Sequence, residues 1–241
     1  MRLRLATLLL AAAAGPAFAQ PPPAPEGEIY AAHGTEPFWS LTFEDGKMIW
    51  ATRDGDRIEV ARPRPVTRDG VHYYRAPRMT VEISHEGRCN DGMSELDYPD
   101  TVRVRFGRHQ RDRALQGCGG GALPPVSLDE TRWQIVDIDG IHVGGEQYKL
   151  GFQDDGQVRG RAGCNDFAAP YTQVGRTLTV SPLEVTSRSC AEDGELHEGR
   201  VLRLLRGPVQ ISYRGGLLMV LSGNHDGANI AVTLRRLGGG R

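Results

Sequence analysis

The sequence predicts an α+β protein, mostly antiparallel β, folded as two small sheet-rich domains, the second with one covering helix. Three observations predict it. Gly (31) and Pro (15) are plentiful among the 241 residues, which favours strands and turns over a helical bundle. Apolar runs alternate with period two and are broken by Asp-Gly pairs. One stretch alone keeps a convincing helical period. Charged residues are 24%, hydrophobic residues 39% and the formal net charge is −1. That composition suits neither a disordered polyelectrolyte nor a membrane bundle, and it lacks the broadly basic face of a nucleic-acid binder.

The first element is an export signal over 1–19, MRLRLATLLLAAAAGPAFA. Arg2 and Arg4 precede an apolar run from Leu5 to Ala14, and Ala17-Phe18-Ala19 supplies the small residues of a cleavage site. The run is about 10 residues, where a membrane-spanning helix needs about 20. No Cys follows it to carry a lipid, and no later segment approaches spanning length, so a periplasmic or secreted protein is expected. Residues 20–26, QPPPAPE, read as a Pro-rich tether.

Residues 27–122 read as the N-terminal β-rich domain. Phe38 to Phe43 alternates, Glu44-Asp45-Gly46-Lys47 turns, and Met48 to Ala51 returns. Met79 to Ile83 and Val102 to Phe106 alternate cleanly. The run Gly117-Cys118-Gly119-Gly120-Gly121-Ala122-Leu123-Pro124-Pro125 reads as a break in which helix and strand both fail, with 123–127 as linker.

Residues 128–237 form the second domain. Strands are expected at Trp133 to Ile138, Leu150 to Phe152, around Val158, at Leu178 to Val180, at 209–213 and 217–221, and at Ile230 to Leu234. The helix is expected from about Ala191 to Leu205. Ser189 and Glu192 would form a capping box, Leu196, Val201, Leu204 and Leu205 an apolar stripe, and Gly207-Pro208 the stop.

The four cysteines are Cys89, Cys118, Cys164 and Cys190. In an oxidising compartment an even count reads as disulfides, and four cysteines allow three pairings. Cys89–Cys118 and Cys164–Cys190 is favoured, because each pair lies on one side of the linker. The short C-x-x-C spacing of a zinc site is absent.

Motifs that carry chemistry are scarce. There is no G-x-S-x-G elbow, S-x-x-K, H-E-x-x-H, Walker A or G-x-G-x-x-G. The seven histidines are scattered, and His85-Glu86 near Cys89 reads as a loop beside a disulfide rather than a metal corner. No catalytic residue, cofactor or metal is expected. Two clusters exceed what turn chemistry requires: Gly34-Thr35-Glu36-Pro37-Phe38-Trp39, and Gly163-Cys164-Asn165-Asp166-Phe167 with Tyr171.

The second cluster belongs to a longer series. Trp133-Gln134-Ile135 is followed by Gly160-Arg161-Ala162-Gly163-Cys164-Asn165-Asp166-Phe167, Tyr171, Leu178-Thr179-Val180 and Thr186-Ser187-Arg188-Ser189-Cys190. With this series the region 128–237 resembles the META domain (HslJ-like) family. One departure is Ala169-Pro170 before Tyr171, where the family has Gly. The resemblance implies a small α+β domain linked to envelope stress, motility or drug tolerance, with no catalytic residues to carry over. The N-terminal half carries Gly34 to Trp39, then Cys89, Asp91, Gly92, Met93, Ser94, Tyr98 and Pro99, then Gly117-Cys118. It resembles a domain found beside META domains in exported bacterial proteins, and more loosely the disulfide-bonded β-barrels of periplasmic C-type lysozyme inhibitors.

The expected function is therefore a non-enzymatic binding or stress-protection protein (heat shock included) of the bacterial envelope. Its partner would be an envelope protein or small ligand, with no nucleic acid and no transmembrane segment. The candidate motif surface is Glu36, Trp39, Asp91, Asn165, Tyr171 and Thr186. Two rival expectations remain. One is a hydrolase inhibitor presenting the loop Asn90 to Pro99. The other is a hydrolase built from His85, Glu86 and Asp91.

Overall fold

The computed structural model describes residues 29–85, 87–107, 114–189 and 191–238. The expected leader, its cleavage site and the tether lie outside the described residues, as do Glu86 and Cys190.

The first sheet begins as a meander of β1 (Tyr30–Thr35), β2 (Phe38–Glu44), β3 (Lys47–Thr52) and β4 (Arg57–Ala61). Asp45 and Gly46 join β2 to β3 with φ of 46° and 72°. Positive φ at both positions gives the turn twist that matches two antiparallel strands. β5 (Val66–Arg68), β6 (Val71–Arg75) and β7 (Met79–Ser84) follow. A separate ladder pairs β8 (Cys89–Asn90) with β9 (Asp97–Tyr98). Then β10 (Asp100–Phe106) runs beside β7, and β11 (Leu115–Gly119) inserts between β10 and β1.

The result is a nine-stranded antiparallel half-barrel ordered β4-β3-β2-β1-β11-β10-β7-β6-β5. Its concave face buries Leu41, Phe43, Met48, Val81, Ile83, Val102 and Val104. Alternation made these strands legible, because period-two residues share one face.

The run Gly117 to Gly121 requires correction as a simple break. Gly117-Cys118-Gly119 lies within β11, paired with β10 and β1. The glycines there serve close approach. A Cβ on Gly117 would lie 1.9 Å from the His33 carbonyl oxygen, and one on Gly119 would lie 2.2 Å from the Tyr30 hydroxyl.

The second sheet comprises β12 (Arg132–Ile138), β13 (Ile141–His142), β14 (Tyr148–Phe152), β15 (Gln157–Ala162) and β16 (Asp166–Val174). It continues with β17 (Thr177–Val180), β18 (Glu184–Val185), β19 (Val209–Arg214), β20 (Leu218–His225) and β21 (Ala228–Leu237). The path β12-β14-β15-β16-β17-β19-β20-β21 returns on itself, because β21 pairs with β12 from Arg132↔Leu237 to Ile138↔Val232. This closed antiparallel barrel encloses Trp133, Ile135, Phe152, Leu178, Met219 and Leu234. The α+β, sheet-rich class predicted from sequence is the one observed.

The helix α1 (Glu192–Leu205) covers one end of the barrel through Val201, Leu202, Leu204 and Leu205. Two details differ from expectation. The N-cap is Ala191, with no side-chain cap bond, in place of the Ser189 box. Leu196 is 61% exposed. It is out of phase with the buried face, whose positions one turn before Val201 are taken by His197 and Glu198.

The two sheets are tied at the linker. Leu123 N–H donates to the Asp97 carbonyl (2.7 Å) and Arg88 donates to the Pro124 carbonyl (2.7 Å). Arg236 on β21 donates to the Glu95 carbonyl (2.9 Å).

Candidate functional site

Among the expected residues of the second domain, Asn165 and Thr186 come together directly. Asn165 sits in the turn between β15 and β16 and is buried. Its side-chain oxygen accepts from the Thr186 hydroxyl (3.0 Å) and the Arg188 N–H (2.7 Å), while its amide donates to Glu198 on α1 (3.1 Å). Thr186 in turn accepts from the Asp166 N–H (3.0 Å). Asp166 receives both Arg161 (2.7 and 2.8 Å) and Arg188 (2.9 Å). Hydrogen bonding to Arg161, helped by the charge of both arginines, holds its carboxyl below the usual range. The polar motif is thus a rivet joining strand, turn and helix.

Gly163, before Cys164, has φ of 133°, and a Cβ there would lie 2.4 Å from the Gly194 carbonyl of α1. Cys164 is disulfide-bonded. Its expected partner Cys190 lies outside the described residues.

Tyr171 lies apart from this rivet. Its ring meets Phe152 of the barrel core edge-on (4.8 Å between centroids), and its hydroxyl donates to Asp129. Burial, then the Asp129 carboxylate, pushes the Tyr171 hydroxyl pKa well up. Asp129 itself is held low by the Tyr171 and Ser127 hydroxyls. These two residues line an open cleft of about 620 Å³ with Ser127, Leu128, Gly156 and Gln173. Strand β15 fixes where the cleft lies. Gly156, just before the strand, lines the cleft, whereas Gly163, just after it, meets α1. The cleft therefore opens at the end of the barrel away from the helix.

In the first domain the Gly34-to-Trp39 motif meets the Cys89-to-Pro99 motif. Thr35 donates its hydroxyl to the Asp91 carbonyl (3.0 Å), and His33 Nε2 lies 3.2 Å from the Asp91 carboxylate. The other Asp91 oxygen accepts from the Met93 N–H, the Ser94 N–H and the Ser94 hydroxyl (3.0, 2.8 and 3.0 Å). Burial works to raise the Asp91 pKa, but these bonds and His33 outweigh it and hold the carboxyl below its usual range. Asp91, rather than His33, receives the Ser94 hydroxyl, so the group is a loop brace and not a serine–histidine relay.

The disulfide Cys89–Cys118 (Cα–Cα 5.5 Å) ties this loop to β11, as the favoured pairing required. Tyr98 stacks edge-on against His33 (4.8 Å). Trp39, like Asn165, is buried and so does not belong to the expected motif surface; its ring packs over Gly34, whose Cβ would lie 2.1 Å from the indole nitrogen. Glu36 is exposed in the turn between β1 and β2.

A third cluster was not legible in the sequence. Asp100 is buried and accepts from the Tyr30 hydroxyl (2.9 Å) on one oxygen. Its other oxygen is 2.7 Å from His85 Nδ1, and His85 Nε2 is 3.1 Å from His72 Nδ1. Burial, then the neighbouring His85, lowers the His72 pKa, against a smaller opposing pull from Asp100. Burial, then the Asp100 charge, pushes the Tyr30 hydroxyl pKa up. The hydrolase expectation gains no support, because His85 turns to Asp100 while Asp91 turns to His33.

A closed eight-stranded barrel capped by one helix, with a buried Asn-Thr rivet at the helix end, defines the second domain. It carries a META domain: the family model matches residues 126–235. An NMR structure of a protein from Burkholderia xenovorans is similar at 23% identity, covering 46% of this chain and 83% of that one, with a TM-score of 0.37. No curated protein matches the chain. No described helix is long and apolar enough to cross a membrane.

Proposed function

We propose that the protein is an exported, non-enzymatic binding protein of the bacterial envelope with a stress-protective role, and that the Tyr171–Asp129 cleft receives its ligand. The observation that carries this reading is the division of labour in the barrel. One end is consumed by the helix and the Asn165 rivet, while the other presents an aromatic ring, a carboxylate and polar neighbours around open space. Such a concave site with a few convergent polar groups is the usual form of a small-ligand site. Export and oxidation are supported by the leader-like residues 1–19 and by the Cys89–Cys118 disulfide.

A thermal-shift panel of sugars, amino acids and cell-wall fragments tests the cleft. At least one compound is expected to raise the melting temperature of the mature chain but not of Tyr171→Ala. Turnover of an ester, peptide or glycan that a single polar substitution abolishes would overturn the reading.

The inhibitor reading is favoured by one observation, the bracing of loop 90–97. The Asn90 amide donates to the Ser94 and Leu96 carbonyls (3.2 and 3.1 Å), Asp91 caps Met93 and Ser94, and Met93 stands 61% exposed. A loop held this way loses little entropy on binding. Asp97 and Tyr98 are braces in this arrangement, bonded to Asn90 and stacked on His33 respectively. The discriminating substitution is therefore Met93→Asp. Retention of a lysozyme or periplasmic protease by the native chain, and its loss in Met93→Asp, would favour the inhibitor over the cleft.

A further inference from the structure

Two histidines of the first sheet bring their ring nitrogens together in front of a buried carboxylate. Asp100 is acceptor-only when ionised, and it already receives the Tyr30 hydroxyl on one oxygen. His85 in its neutral form must therefore carry its proton on Nδ1, 2.7 Å from the other oxygen, which leaves the Nε2 lone pair facing His72. That nitrogen lies 3.1 Å from His72 Nδ1, and the two rings meet edge-on at 77°. His72 sits on β6, and His85 follows β7 directly. These strands are paired neighbours, so the backbone holds both imidazoles in place. The His85 side chain is 46% exposed, so an ion and its water ligands have access.

We propose that His72 and His85 form a two-imidazole site for a divalent late-transition-metal ion, with Cu(II) preferred, in which Asp100 and Tyr30 orient the ligands from behind. A carboxylate bonded to the far nitrogen of a ligating histidine fixes its tautomer and raises its basicity, the usual outer-shell device of metal sites. With metal–nitrogen bonds of about 2.0–2.1 Å, nitrogens this far apart subtend roughly 95–100° at the ion. That angle suits adjacent positions of a tetragonal ion, and Cu(II) also heads the affinity order for nitrogen ligands. Both nitrogens reach one ion once His72 carries its proton on Nε2 instead of Nδ1 and the rings rotate slightly to replace their mutual hydrogen bond. No group of three or more His, Cys, Asp or Glu among the described residues is placed to hold a metal. Water completes the coordination, and the ion remains removable by chelators.

The test uses the mature chain stripped of metal and titrated with copper sulfate near neutral pH, read by calorimetry and by electron paramagnetic resonance. One strongest equivalent is expected, with a spectrum showing imidazole nitrogen coupling. His72→Asn and His85→Asn should each weaken it by at least tenfold, and Asp100→Asn by about 10–100-fold. His142→Asn, at an exposed position, should leave it unchanged. Near-ultraviolet circular dichroism shows whether each variant is folded, and the surface histidines keep the test sound if Asp100→Asn is not. Equal affinity in the folded double variant His72→Asn/His85→Asn would overturn the proposal, as would the absence of a strong equivalent in the native chain.

Discussion

Asn165 donates twice to Glu198, from its backbone N–H at 2.6 Å and from its side-chain amide at 3.1 Å. Two residues 33 apart in sequence thus lock the turn after β15 to the middle of α1. The same side chain also receives Thr186 and Arg188, so one buried amide serves three segments.

Asn165→Ala should therefore cost about 2–4 kcal/mol, because it removes at once the bonds to Thr186, the Arg188 N–H and Glu198 that join the three segments. Urea unfolding followed by circular dichroism measures it. Asn224→Ala, at an exposed hairpin end, should stay within about 0.5 kcal/mol.

Gly117→Ala should destabilise the first domain by about 3 kcal/mol or more. The new Cβ would fall 1.9 Å from the His33 carbonyl and 2.7 Å from the Trp39 ring, with backbone on one side and a buried indole on the other. Gly121→Ala, whose Cβ meets nothing within 4 Å, should be close to neutral. The two melting curves give the comparison.

Asp91 should make the first domain acid-sensitive. Its folded pKa lies below the unfolded value of about 3.9. The stability it contributes is fully present above that value and is lost as pH falls through the lower folded pKa. Unfolding midpoints measured from pH 5 downward should drop, and the drop should be smaller in Asp91→Asn.

Cys89→Ser/Cys118→Ser should lose about 3–4 kcal/mol, the chain-entropy value for cysteines 29 residues apart. Urea midpoints with and without the bridge measure the loss. A change under about 1 kcal/mol would mean that β11 holds its place by pairing alone.

Much of the first sheet was legible because alternation and Asp-Gly turns are local signals. Phe38 to Phe43 and Met48 to Ala51 emerged as β2 and β3 for that reason. The C-terminal series singled out Asn165 and Thr186, but as part of a motif surface; that Asn165 is buried and bonded to Thr186 was not legible. Barrel closure was not legible, because the β12–β21 pairing joins Arg132 to Leu237 and no local pattern encodes that contact. The glycines of β11 misled for a related reason. Their cause is the Trp39 indole and the His33 carbonyl, which lie far away in sequence. The Tyr30–Asp100–His85–His72 chain was equally hidden, since Tyr30 and Asp100 are separated by 70 residues.

Export with every cysteine oxidised underlies the functional reading, and intact-mass analysis of the chain released by osmotic shock tests it most directly. The expected species begins at Gln20 and takes up no alkylating reagent until it is reduced. A chain that stays in the cytoplasm with residues 1–19 attached, and whose thiols alkylate at once, would contradict it.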